Sequence, residues 1–262
     1  MAAGFQGRGE ILRPLKEYRD LLTGKGRREH GVFLVEGMRA VKQVAAEHGS
    51  AIDELVVDET IILPEELSAM AVRKISSSKL RSITSSKTPQ GIFACVRIPE
   101  GVNSSILPLR DQGRVVILED VQDPGNIGTI IRTAVALDFD GIVLSQNCAD
   151  PFSPKVVQST AGSILVPWIR RSPQLLDSVI QLKKSGYYIF GADMHGRPHV
   201  DFSTHSEVAV VFGNEGNGLS SALRKCTDIQ FAIPMNGNKV ESLNVAVAAA
   251  ITMFAISCGS RW

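Results

Sequence analysis

Residues 114–137 read RVVILEDVQDPGNIGTIIRTAVAL. Val115 to Leu118 is an unbroken apolar run of strand length, and IGTIIRTAVAL repeats its apolar residues at helical spacing. Between them lies a polar turn carrying Pro124 and Gly125. Strand, turn and helix in this order form the repeating unit of a parallel sheet. Four further apolar runs follow: Gly141 to Leu144, Tyr187 to Phe190, Val208 to Phe212 and Ile229 to Ile233. Helical patterns separate most of them. Continuous rather than alternating runs predict strands covered on both faces, so this half of the chain reads as α/β with a parallel sheet.

Upstream, the signal is weaker but of the same kind. Ile11 to Leu22 and Gly37 to Ala46 have helical spacing, while Val32 to Val35, Leu55 to Val57 and Ile92 to Val96 read as short strands. This predicts a small α/β domain. The stretch Pro99 to Gly113, PEGVNSSILPLRDQG, is polar and punctuated by proline and glycine, which reads as a linker. The expected division is residues 1–105 and 106–262.

Composition narrows the function classes. The chain has 262 residues, 44% of them hydrophobic, which excludes a disordered tail or a disulfide mini-protein. With 28 basic against 27 acidic residues, global charge gives no hint of a polyanionic partner. Cys95, Cys148, Cys226 and Cys258 form no C-x-x-C pair and read as buried free thiols of a reducing compartment. The N-terminal MAAGFQGRGEILRP has no apolar core of a secretory signal, and Val245 to Ile256 is too short to span a bilayer. The expectation is a soluble cytoplasmic protein.

In an open parallel sheet, ligands bind beyond the carboxyl ends of the strands. Three polar, glycine-bearing segments follow predicted strands: EDVQDPGNIGTIIRTA (Glu119 to Ala134), FGNEGNGLS (Phe212 to Ser220) and IPMNGNKVESLNVAVAAA (Ile233 to Ala250). None is a dinucleotide fingerprint, a P-loop or a nucleophile elbow, which removes the dehydrogenase reading. His30, His48, His195, His199 and His205 make no helical metal pair, and His195 and His199 flank a Gly-Arg-Pro stretch that reads as a loop. No metal is expected.

Together the three segments resemble the signatures of the SpoU-type ribose 2′-O-methyltransferases of the knotted SPOUT superfamily. The first is N-x-G-x-x-x-R-T-A (Asn126, Gly128, Arg132, Thr133, Ala134). The second is F-G-x-E-G-x-G (Phe212, Gly213, Glu215, Gly216, Gly218). The third is I-P-M (Ile233, Pro234, Met235) followed by S-L-N-V (Ser242, Leu243, Asn244, Val245). FLVEGMRAVKQ (Phe33 to Gln43) and KTPQGIFA (Lys87 to Ala94) are similar to the small substrate-binding domain that precedes many such catalytic domains and that resembles RNA-binding ribosomal proteins.

The resemblance implies a C-terminal trefoil knot, S-adenosylmethionine as methyl donor and a ribose 2′-hydroxyl as acceptor. The donor's sulfonium is itself the electrophile, so no metal is needed. Carried over, Gly213, Ile233 and Leu243 would contact the cofactor, largely through main chain. Glycines 213, 216 and 218 would let the backbone approach it closely. Arg132 would be the central catalytic residue, with Asn126, Ser242, Asn244 and Glu215 arranging the reacting groups. A guanidinium stays protonated in proteins, so as a general base it would need help from an RNA phosphate or a neighbour. As a phosphate grip and stabiliser of the developing alkoxide it would need none. Both roles stay open on sequence. Asn126 could equally be an N-cap, Ser242 could cap the last helix, and Glu215 could accept from backbone amides.

The last helix, Asn244 to Ser257, is apolar almost all round and must be buried on most sides, within the core, a dimer interface or both. The family resemblance implies a homodimer. Basic residues without acidic neighbours occur from Met70 to Arg97, notably Lys79, Arg81 and Lys87, and a second run includes Arg27 and Arg28. These five are the candidate RNA phosphate contacts. Sparse aromatic residues argue against base stacking. Ribosomal RNA is the expected substrate. The alternatives are a tRNA 2′-O-methyltransferase or a non-catalytic RNA-binding or ribosome-assembly protein.

Overall fold

β-Branched and leucine-rich runs build two sheets in the computed structural model, which describes residues 13–84, 86, 88–109, 113–236 and 240–259. The chain clusters into two units. One holds the residues up to Ile98 with Phe152–Pro154, and the other holds Pro99–Pro151 and the chain from Lys155 onward.

The first unit contains α1 (Leu15–Asp20), α2 (Gly24–His30), β1 (Val32–Glu36), α3 (Met38–His48), β2 (Ile52–Asp58), β3 (Val72–Ile75), α4 (Ser77–Arg81) and β4 (Ile92–Arg97). Its sheet runs β1-β4-β2-β3, antiparallel except for the β2–β3 pair. The helix expected over Ile11 to Leu22 is shorter, because Pro14 serves as its N-cap and Leu21 as its C-cap. β3, VRKI, was not expected. As an edge strand it buries only Ile75 and so lacks an apolar run. A core of Tyr18, Leu21, Val56, Ile83 and Phe93 lies beneath. Each such buried aliphatic or aromatic side chain stabilises by ~1.5–3 kcal/mol. The Tyr18 hydroxyl donates to Glu54 Oε2 at 3.0 Å, and burial pushes the Glu54 carboxyl above the usual carboxylate range.

The second unit contains β5 (Arg114–Leu118), α5 (Pro124–Ala136), β6 (Gly141–Ser145), α6 (Pro154–Ser159), β7 (Trp168–Ser172), α7 (Leu175–Lys184), β8 (Tyr188–Arg197), β9 (Val208–Phe212), α8 (Ser221–Cys226), β10 (Ile229–Phe231) and α9 (Val245–Ser257). Its six strands are ordered β10-β8-β9-β5-β6-β7 and all adjacent pairs are parallel. Val115 and Ile117 join one buried cluster, while Val116 and Leu118 are equally buried on the other side, as the unbroken runs require. β7, WIRRS, escaped the sequence reading because it is an edge strand with two arginines. β10 ends at Phe231, so Ile233 lies beyond it, not within the strand. His195 lies within β8 rather than in a loop, and His199 lies beyond the strand's end.

The linker reading of residues 99–113 needs correction. Val102 and Leu107 are buried, and the Arg171 amide donates to the Val102 carbonyl at 2.7 Å. Residues 102–107 are therefore part of the second unit, with Val102 bonded to its edge strand β7. The thiols also differ from expectation: Cys95 and Cys148 are buried, but Cys226 is partly covered and Cys258 exposed. Burial pushes both buried thiols up, which keeps them protonated and inert. No helix among the described residues is long and apolar enough to cross a membrane.

Candidate active site

The carboxyl ends of β8, β9 and β10 open into a cavity of about 360 Å³. Glycine chemistry shapes its rim. A Cβ on Gly213 would lie 2.2 Å from the Gly218 carbonyl carbon and oxygen, and Gly218 has φ +63°. The loop after β9 therefore folds back on itself only with glycine at both places. Gly216 carries neither constraint: its nearest neighbour would be Asn214 Oδ1 at 3.4 Å, and its φ is not positive. Asn214 clamps the loop. Its Oδ1 accepts from the Gly216 and Asn217 amides at 2.9 and 3.2 Å, and its Nδ2 donates to the Asp120 carbonyl at 2.9 Å. Asp120 has φ +55°, a conformation Asp tolerates better than most residues. Its carboxylate accepts from Ser145 Oγ at 2.6 Å and Asn147 Nδ2 at 3.1 Å.

Of the residues singled out in the sequence, Gly213, Glu215, Ile233, Ser242 and Leu243 line this cavity. Asn126 and Asn244 reach it through a chain of amides. Asn126 Nδ2 donates to Glu215 Oε1 at 2.9 Å, and Asn244 Nδ2 donates to Asn126 Oδ1 at 3.0 Å. One residue from each of the three segments thus meets in a single hydrogen-bonded row. Neither Asn126 nor Ser242 is an N-cap. α5 is capped by Asp123, which accepts from the Gly125 and Asn126 amides at 2.6 and 3.0 Å and is followed by Pro124. These amide bonds hold the Asp123 carboxyl below its ordinary range. α9 is capped by Asn244, whose Oδ1 accepts from the Ala246 amide at 2.9 Å. Glu215 receives a side-chain amide rather than the backbone amides expected.

Arg132 is not brought to the cavity. It lies six residues beyond Asn126 on α5, about 9 Å along the axis and turned to another face. There it flanks a shallow cleft with Thr129, Ala250 and Phe254 and makes no ion pair among the described residues. The same side of α9 is apolar as well. The helix buries Val245, Ala249, Met253 and Ile256, but Val247, Ile251 and Phe254 are 47, 38 and 60% exposed. An apolar stripe beside Arg132 is therefore uncovered.

The basic candidates divide as well. Arg27 is only 4% exposed and donates to the Leu21 carbonyl at 2.8 Å, so it is a core residue and not a phosphate contact. Arg28, Lys79 and Arg81 are exposed, and Lys87 lies outside the described residues. Two basic residues of the acid-free stretch from Met70 to Arg97 have partners in space: Arg97 pairs with Asp53, and Arg73 sits over the Tyr18 ring. Counting charge along the chain missed this because Asp53 and Glu54 arrive from β2.

The residues fit an S-adenosylmethionine-sized ligand on two counts. The cavity has apolar walls (Phe212, Leu219, Phe231, Ile233, Leu243) for a purine. It also holds a buried carboxylate oxygen, Asp193 Oδ2, with no hydrogen bond among the described residues. Asp193, Asn214 and Asp120 were not found by sequence reading. Position was a usable signal for Asp120 and Asn214, which follow the carboxyl ends of β5 and β9, whereas Asp193 lies within β8 and carried none.

Residues 113–254 match the SpoU rRNA methylase family, and residues 13–94 match the MRM3-like substrate-binding domain. The chain is 35% identical over 243 residues to the 23S rRNA (guanosine(2553)-2′-O)-methyltransferase RlmP of Bacillus subtilis, covering 92% of this chain and 94% of that protein. It is 31% identical to the 23S rRNA (uridine(2479)-2′-O)-methyltransferase of Streptomyces viridochromogenes, covering 91% and 87%. Among solved structures, the SpoU methyltransferase AviRb of Streptomyces viridochromogenes in complex with AdoMet superposes with a TM-score of 0.79 at 30% identity, covering 93% of this chain and 96% of that one. An AdoMet-bound rRNA methyltransferase from Sinorhizobium meliloti superposes with a TM-score of 0.77 at 28% identity, covering 92% and 93%.

Proposed function

The chain belongs to the SpoU rRNA methylase family, and from that premise we propose that it transfers a methyl group from S-adenosylmethionine to a ribose 2′-hydroxyl of ribosomal RNA. The observation that carries this reading is the amide row Asn244–Asn126–Glu215 at the mouth of a cavity lined by Gly213, Ile233 and Leu243. When bound, the cofactor supplies an electrophilic methyl group. Gly213, Ile233 and Leu243 bind it, and Ser242, Asn244, Asn126 and Glu215 hold the acceptor side in register. Such positioning is worth up to ~7–11 kcal/mol. Arg132 grips an RNA phosphate and stabilises the developing alkoxide, a role suited to an exposed guanidinium with no carboxylate partner among the described residues.

Arg132 and the cavity are complementary if two copies pair through the uncovered stripe of α9, so the working form is a homodimer with sites shared between protomers. The last segment forms a trefoil knot. That reading is supported by the return of α9 onto α5 and by Ala232, Ile233, Met235, Ser242 and Leu243 lining the same cavity as the loop after β9. Residues 1–105 present RNA to the catalytic residues 106–262, in the cytoplasm.

The test is transfer of tritiated methyl from S-adenosylmethionine to purified RNA. Label is expected in ribosomal RNA at an alkali-resistant 2′-O-methyl position. Label in tRNA alone would overturn the substrate class. Cofactor and RNA binding without transfer would favour the non-catalytic assembly protein.

The RNA surface is testable separately. Replacing Lys79 and Arg81 with alanine is expected to weaken RNA binding and leave cofactor affinity unchanged. A side chain that neutralises one phosphate of a single strand releases counterions and adds ~0.7 to the slope of log affinity against log salt, so its removal should flatten the slope by that amount. Filter binding across a salt series measures this, and an unchanged slope would remove α4 from the RNA surface.

A further inference from the structure

The strand β8 leaves its ladder where the cavity begins. Gln230 pairs with Gly191 but the next residue, Phe231, pairs with Arg197, so residues 192–196 bulge out of register. Gly196 closes the bulge: a Cβ there would lie 2.6 Å from the Phe231 main chain. Bulges re-aim side chains beside functional sites. This one carries Asp193 into the cavity wall with its side chain only 3% exposed.

The two carboxylate oxygens of Asp193 differ. Oδ1 accepts from the His195 amide at 2.9 Å. Oδ2 stands 3.1 Å from Arg224 Nε, close enough for charge attraction, yet the Nε hydrogen is given to the Leu219 carbonyl at 3.0 Å. Oδ2 is therefore charge-compensated but without a hydrogen-bond donor among the described residues. A buried acceptor left in this state is costly and awaits a donor. Arg224 already balances the charge, so a neutral donor suits the position better than a cation, whose burial would leave uncompensated positive charge.

We infer that Asp193 Oδ2 accepts a hydroxyl hydrogen of the cofactor's ribose, and that Asp193 is a cofactor-binding residue held in place by the β8 bulge and Arg224. This rests on reading the cavity as the S-adenosylmethionine site. The neutral donors of that ligand are the ribose hydroxyls and the adenine amino group, and with the purine assigned to the apolar walls the hydroxyls are left for Oδ2. The amino-acid end offers a charged ammonium instead.

The test is calorimetric titration of the full chain with S-adenosylmethionine and with 5′-deoxy-5′-methylthioadenosine, which keeps the ribose and lacks the amino-acid end. Asp193→Asn retains an acceptor for the His195 amide. It is expected to weaken both ligands by the same factor, about tenfold to a hundredfold, without a fall in Tm that would signal unfolding. The 2′-deoxy and 3′-deoxy forms of methylthioadenosine give a test independent of any variant's folding. One of them should bind the unmodified protein more weakly by that factor, and Asp193→Asn should be indifferent to the same deletion. Failure of the unmodified protein to bind S-adenosylmethionine would sink the reading of the cavity. Normal binding there with no loss in Asp193→Asn, or with both deoxy ligands binding like the parent, would overturn the inference alone. Loss confined to S-adenosylmethionine would move Asp193 to the ammonium and overturn the ribose assignment.

Discussion

Arg132→Ala is expected to lower methyl transfer by roughly a hundredfold to a thousandfold while leaving S-adenosylmethionine affinity nearly unchanged. The size follows from removing one preorganised donor from a developing oxyanion. The selectivity follows from geometry, since Arg132 flanks the cleft with Ala250 and Phe254 and does not line the cavity. Single-turnover transfer kinetics beside calorimetry separate the two effects. A variant that loses cofactor affinity in proportion to rate would place Arg132 in the cofactor site instead. The same variant tests site sharing. Mixed with a cofactor-pocket variant, it should regain partial activity, because heterodimers then contain one site with both elements intact. No recovery in verified heterodimers would confine each site to one protomer.

Gly213→Ala should be nearly as damaging by a different route, abolishing measurable cofactor binding. The new methyl would sit 2.2 Å from the Gly218 carbonyl carbon and oxygen, and these are backbone atoms that no rotamer change can move. Relief requires opening the loop between residues 213 and 218, which carries Glu215 and the Asn214 clamp. Overpacking of this kind costs ~1–3 kcal/mol of stability. The variant should therefore fold with a lowered Tm while calorimetry finds no heat of binding. Affinity within a few fold of the parent would mean that this turn does not shape the pocket.

How much of this was legible beforehand depended on the range of each interaction. Val115 to Leu118 and Val208 to Phe212 announced themselves as buried parallel strands because every residue in them is apolar. The three segments could be set in one site because the carboxyl ends of parallel strands share one edge of the sheet. By itself, then, the sequence determined the fold class, the catalytic half of the chain and the family. What it could not contain was pairing at a distance. β7 and β3 are edge strands whose arginines and lysine need no burial, so no periodicity marks them. Arg27 looked like surface until α2 buried it and the Leu21 carbonyl satisfied it. Asn126, Glu215 and Asn244 are joined over separations of 89 and 118 residues, and Asp193 is displayed by a register shift between two strands. Hydrogen bonds of this kind depend on positions set by the packing of the whole unit, so only the tertiary structure decided which polar residues meet and which, like Arg132, stand apart.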